Sequence, residues 1–166
     1  MAFLLRDIPN AETFDRFRDR YPDLDPIATE LFLRLLRIGS DYLEYLDGLL
    51  QPFGLLHGRW ITLILLMREA DRMALPSTLA EKQGVSRATM SGLLDGLERD
   101  GLIERVPDPA DARRLFARLT SVGEAKLDAI MPHYYASISS MMGTLSDSQQ
   151  EHLLHLLRGM PQPGES

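Results

Sequence analysis

Apolar side chains recur every three or four residues along most of this chain, the period of one buried helical face. Phe14, Phe17 and Tyr21 begin the pattern in a charged stretch that Pro22 closes, which predicts a short amphipathic helix within an N-terminal extension, residues 1–24. Asp25 followed by Pro26 marks the next start: the carboxylate can accept from the first free amides, and proline lacks only an N–H that has no partner there. Ile27, Leu31, Leu35, Ile38, Tyr42, Leu46, Leu49 and Phe53 then advance along one face and predict a long helix ending near Pro52 and Gly54. Phe32, Leu36, Leu43 and Leu50 widen that stripe beyond what one core face needs, so the helix is expected to be covered from two sides, the second by another subunit.

Residues 56–70 predict a core helix, apolar through Trp60, Ile61, Leu63, Ile64, Leu65, Leu66 and Met67 but too short to span a bilayer. Pro76 opens a short helix that Gly84 stops. Ser86 caps the next, whose apolar positions are Met90, Leu93, Leu94 and Leu97 and whose end is Gly101. Residues 102–106 and 115–119 are candidate strands around a proline- and aspartate-marked loop at 107–114. Ser121 with Glu124 predicts a capping box for a helix carrying Leu127, Ile130, Met131, Tyr134, Ile138, Met141 and Met142, which Pro132 should kink or divide. Ser146 with Gln149 repeats the box before a last helix striped by Leu153, Leu154, Leu157 and Met160, and residues 161–166 read as a loose tail.

Composition narrows the class. A chain of 166 residues, 45% of them hydrophobic, is one domain, or a compact domain with appended elements, and can bury a real core. The absence of cysteine excludes a disulfide framework, a thiolate zinc site and a thiol redox sensor. Met1 to Arg6 is too short for a signal-peptide core, and the expected location is the cytoplasm, with no membrane partner. The net charge of −6 argues against nucleic acid until its distribution is examined. Between Pro76 and Thr120 the charges balance: Lys82, Arg87, Arg99, Arg105, Arg113, Arg114 and Arg118 stand against Glu81, Asp95, Glu98, Asp100, Glu104, Asp108 and Asp111. The acidic excess lies wholly outside that segment, a segregation that suits a DNA-binding head of modest affinity.

A helix, a tight turn at Gly84, a second helix and a two-stranded hairpin with a polar tip make the order of a winged helix-turn-helix. The residues of that segment resemble those of MarR-family transcriptional regulators: Leu79-Ala80, Val85-Ser86, Leu97-Glu98, Gly101-Leu102-Ile103-Glu104-Arg105, Asp111-Ala112-Arg113, and Leu119-Thr120 with Gly123. Gly54-Leu55 and Trp60 fit as well, and the resemblance extends over about residues 25–160. It implies a mainly α homodimer whose winged helix-turn-helix DNA-binding region, with a small β-hairpin wing, spans residues 55–121 and whose helical dimerisation region is built from 25–54 and 122–160. It also implies binding to palindromic double-stranded DNA and, often, release by a small aromatic or phenolic ligand. The chain departs from the pattern at Gly92 and Ala112, where many relatives carry a basic residue and an arginine.

Candidate DNA-binding residues are Ser86, Arg87, Ala88, Thr89, Ser91 and Gly92 at the start of the second helix, where Arg87 could reach guanine or phosphate and Thr89 and Ser91 a base edge or phosphate. Arg113 and Arg114 near the wing tip suit a narrow minor groove, and Asp111 is placed to orient Arg113 through a salt bridge. His57, Arg59 and Trp60 are candidates for lining an effector pocket, against the plainer reading of Trp60 as core. His152 and His155 share a helix face but lack further ligands in view, so no metal and no cofactor are expected. No nucleophile elbow, phosphate-binding glycine loop or metalloprotease motif is present, and an enzyme is not expected. The function expected is a DNA-binding regulator, a repressor, with two alternatives: a winged-helix protein-interaction module without DNA binding, and a metal-responsive regulator.

Overall fold

A computed structural model of the chain describes residues 5–108, 111 and 113–161. The expected tail, apart from Pro161, and Ala112 of the wing lie outside the described residues. The elements in order are α1 (Ala11–Arg20), α2 (Pro26–Leu50) with a 3-10 turn at Gln51–Phe53, α3 (His57–Met67), β1 (Met73–Ala74), α4 (Pro76–Gln83), α5 (Arg87–Arg99), β2 (Ile103–Pro107), β3 (Leu115–Leu119), α6 (Ser121–Met142) and α7 (Asp147–Arg158). This is a mainly helical fold around a small antiparallel sheet of order β1-β3-β2.

Local chemistry sets most boundaries where the sequence places them. The Asp25 carboxylate accepts from the amides of Ile27 and Ala28 at 3.0 Å each, and Ser86 Oγ from Thr89 N at 3.1 Å. The box of Ser146 and Gln149 is complete in both directions, at 2.8 and 3.4 Å. Gly54, Gly84 and Gly101 take left-handed φ values of 72°, 68° and 71°, which end the preceding turns at little steric cost.

Four features differ from the expectations. The sheet has a third strand, because Met73 and Ala74 pair with Arg118 and Ala117; two residues are too few to carry a period. The helix expected to reach residue 70 ends at Met67, where the chain turns through Arg72 at φ 53°. The cap of α6 is Thr120 rather than Ser121: Thr120 Oγ1 accepts from Gly123 N at 3.1 Å and donates to Gly101 O at 2.7 Å. Glu124 pairs instead with Arg72. Of the two outcomes expected at Pro132, division does not occur: α6 is helical from Ser121 to Met142. An interior proline costs about 3 kcal/mol, and burial of Leu127 and Ile130 on one side, with Tyr134 packed on the core on the other, holds the helix through it.

One core joins all the elements from the end of α2 to α6. Leu50, Trp60, Leu63, Leu66, Leu79, Met90, Leu94, Leu97, Leu127 and Ile130 are at most 1% exposed. Outside it, α2 buries only Leu46, and α7 buries nothing. Ile27 is 81% exposed, Phe32 60%, and Leu153, Leu154, Leu156 and Leu157 are between 40% and 53%. No single helix among the described residues is long and apolar enough to cross a membrane.

Candidate nucleic-acid interface

α4 and α5 are joined by residues 84–86, the tight turn that the left-handed Gly84 allows. Met90, Leu94 and Leu97 anchor α5 in the core, so its opposite face is held outward by packing. The cap and first two turns of α5 carry Ser86, Arg87, Ala88, Thr89, Ser91 and Gly92, all exposed. Ser86 and Thr89 share a hydroxyl–hydroxyl bond of 2.8 Å in addition to the cap. Arg87 has no ion-pair partner among the described residues, so its guanidinium is available to an outside acceptor. At Gly92 an added Cβ would meet nothing within 4 Å, so neither φ nor packing demands glycine there.

β2 and β3 run from the end of α5 and form the wing. Asp111 closes its tip: its backbone carbonyl accepts from Arg114 N at 2.8 Å, and its carboxylate accepts from Arg113 N at 3.1 Å and from Arg113 Nε at 3.1 Å. The Arg113 side-chain hydrogen bond, then the backbone one, hold the Asp111 carboxyl below its ordinary range. Arg113 is itself 91% exposed, and Arg114 pairs more loosely with Asp108 at 3.6 Å. The expected pairing of Asp111 with Arg113 is thus present in the geometry.

The base of the wing depends on a close approach. A Cβ at Gly123 would collide with the Leu102 carbonyl oxygen and lie 2.7 Å from Leu119 Cδ1, so only glycine lets the first turn of α6 sit against β2 and β3. The Leu119-Thr120 and Gly123 signature therefore has a mechanical role: Thr120 caps α6 and binds Gly101, while Gly123 permits the contact.

α3 and α5 are also tightly joined. The Arg59 guanidinium lies over Gly96, within 2.6 Å of where a Cβ would stand, and binds Asp100 at 2.7 Å. A cleft of about 550 Å³ opens beside this joint, and Asp47, Gln51, His57, Arg59 and Leu93 are among the residues lining it. Asp47 Oδ1 accepts from His57 N at 2.6 Å, so α2 caps the start of α3 across ten residues of sequence, a contact with no local signal. Of the three candidates for an effector pocket, His57 and Arg59 border this cleft and Trp60 does not: Trp60 is 0% exposed and packs against Tyr134 with ring centroids 5.2 Å apart. His152 and His155 are exposed on α7, and no group of three or more metal-binding side chains occurs among the described residues.

A capped, outward-facing second helix beside a two-stranded wing defines a winged helix-turn-helix protein. The sequence profile described as the MarR family matches residues 53–114. The HTH-type transcriptional repressor YetL of Bacillus subtilis is 31% identical over 153 residues, covering 92% of this chain and 92% of YetL. The crystal structure of AbsC, a MarR family transcriptional regulator from Streptomyces coelicolor, aligns with a TM-score of 0.74 at 25% identity, covering 82% of this chain and 98% of AbsC. That of Sco3205, a MarR family regulator of the same organism in complex with DNA, shares the fold with a TM-score of 0.67 at 24% identity, covering 95% and 96% of the two chains. The chain belongs to the MarR family and is a transcriptional regulator, not an enzyme.

Proposed function

We propose that the protein is a cytoplasmic homodimeric repressor that reads a palindromic double-stranded operator with α5 and anchors to the flanking minor grooves with its wings. The observation that carries this reading is the exposed row from Ser86 to Gly92 at the start of α5, with no ion pair on Arg87 among the described residues, together with a wing tip whose Arg113 is 91% exposed. Arg87, Thr89 and Ser91 then approach base edges or phosphates, Ala88 and Gly92 admit the groove floor, and Arg113 and Arg114 lie at the minor groove with Asp111 orienting the first. The DNA-bound form of Sco3205 supports the partner, and the name of YetL supports repression.

The dimer rests on unpartnered apolar surface. Residues 25–54 and 122–160 form its helical region, with the exposed faces of α2 and α7 covered by a second copy. A lone helix as short as α7 would be marginal in water without such cover. Two copies place their recognition helices in successive major grooves, roughly 34 Å apart. A small aromatic ligand entering the cleft beside His57 and Arg59 lowers DNA affinity by preferring a different spacing of the two heads.

Selection on random duplexes followed by titration of the recovered operator tests the proposal. Salt-dependent binding of a dimer to a symmetric site is the expected result. Absence of any duplex binding would overturn it and favour a protein-interaction module.

A further inference from the structure

Arg105 stands on β2 and has no role in the account above. Its Nη2 donates to Asp95 Oδ1 at 2.7 Å and its Nε to Glu98 Oε2 at 3.3 Å. Asp95 and Glu98 are three residues apart on α5, so a single guanidinium spans both and ties the recognition helix to the wing. The Arg105 side chain is only 21% exposed, whereas that of Asp95 is 64% exposed.

Arg105 also borders an open cleft of about 540 Å³ between the wing and the start of α4, together with Ser77, Arg113 and Arg114. Three guanidiniums on one cleft resemble a phosphate seat, but the charges decide otherwise. Arg113 is held by Asp111, Arg114 by Asp108, and Arg105 by two carboxylates, so the cations are more than balanced by anions. A free anion is not concentrated by a cluster without net positive charge, whereas the exposed Arg113 can still meet the phosphates of a docked duplex.

Asp95 poses a second difficulty for simple electrostatics. It lies four and eight residues after Ser91 and Arg87, on the helix face that meets DNA in the reading above, where a carboxylate repels phosphate. We propose that Arg105 is a positioning residue, and that Asp95 and Glu98 serve as its anchors. The three fix the distance between the base-reading face of α5 and the arginines of the wing. This rests on the DNA-binding function proposed above.

The test turns on a sign. Asp95→Ala with Glu98→Ala removes two negative charges from the DNA side, so screening alone predicts tighter binding. The clamp predicts weaker binding to the selected operator, by about tenfold, with the salt slope unchanged because no phosphate contact is lost. Arg105→Met, which keeps the aliphatic stem, should weaken binding by a similar factor. The triple variant should be no worse than either, since all three residues act through one joint. Circular dichroism and thermal melting confirm that each variant is folded. Tighter or unchanged binding by the doubly neutralised variant would overturn the proposal. So would an Arg105→Met slope reduced by about 0.9, the mark of a direct phosphate contact. If the wild type binds no duplex, the DNA-binding reading fails first, and the clamp is judged by amide hydrogen exchange in the wing. Faster exchange of the β2 and β3 amides in the doubly neutralised variant supports it, and unchanged exchange overturns it.

Discussion

Replacing Arg113 by alanine separates what the wing does for affinity from what it does for the fold. The side chain is 91% exposed, and its recorded partner is the Asp111 carboxylate, so its removal exposes no apolar surface and leaves no buried charge. The tip also keeps its backbone bonds, Arg113 N to Asp111 Oδ1 at 3.1 Å and Arg114 N to Asp111 O at 2.8 Å. Thermal midpoint and solution mass should therefore be those of the wild type. Loss of one phosphate-neutralising contact lowers the slope of log affinity against log salt by about 0.9. Between 50 and 200 mM salt, the advantage of the wild type should accordingly shrink by roughly three- to fourfold. The loss should be similar on every operator variant, because the minor groove offers a degenerate pattern, whereas Arg87→Ala and Ser91→Ala should change the preferred sequence. Fluorescence anisotropy with labelled duplexes at several salt concentrations measures both quantities. The carboxyl of Asp111 gives an independent check. Its folded value is depressed chiefly by Arg113, so its grip is complete at neutral pH and lost only as pH falls through a value below the ordinary carboxylate range of about 3.9. A carbon-detected titration should place its midpoint higher in Arg113→Ala, while DNA binding by the wild type should show no wing-dependent change between pH 7 and 5. An unchanged salt slope would refute the minor-groove anchor, and an Asp111 midpoint that does not move would refute the pairing that orients Arg113.

Gly123→Ala should destabilise the protein by about 1–3 kcal/mol, seen as a lower denaturation midpoint at fixed protein concentration, because the new Cβ meets the Leu102 carbonyl and Leu119. Gly92→Ala should do the opposite, raising stability by about 0.5–1 kcal/mol in open space, and should lower operator affinity if the recognition face meets the groove there. Leu153→Glu with Leu154→Glu places two charges on an exposed apolar stripe, and light scattering should report loss of the proposed dimer or of folded protein. Phenolic and other aromatic acids that bind beside His57 and Arg59 should release DNA, whereas the buried Trp60 should show little direct quenching. Release that persists unchanged in His57→Ala would place the ligand elsewhere.

The helices and their starts were legible in the sequence because the information for them is local. A cap is decided within three residues, as at Asp25, Ser86 and Ser146, and an apolar face within two turns, as in α5 with Met90, Leu94 and Leu97. The pairing of Asp111 with Arg113 was legible for the same reason, two residues apart in a turn. What only the tertiary structure decided involves partners distant along the chain. β1 exists because β3 is there to receive it, and Thr120 displaces Ser121 as the cap because Gly101 offers its carbonyl. α6 runs through Pro132 because its buried residues outweigh one missing bond. Asp47 reaches His57, Arg59 reaches Asp100, and Arg105 reaches Asp95 and Glu98 only after the helices pack, and Trp60 sinks into the core, away from the cleft its neighbours line. Periodicity states which face of an element turns inward; which side chains meet there is settled by the packing of elements that the chain brings together from afar.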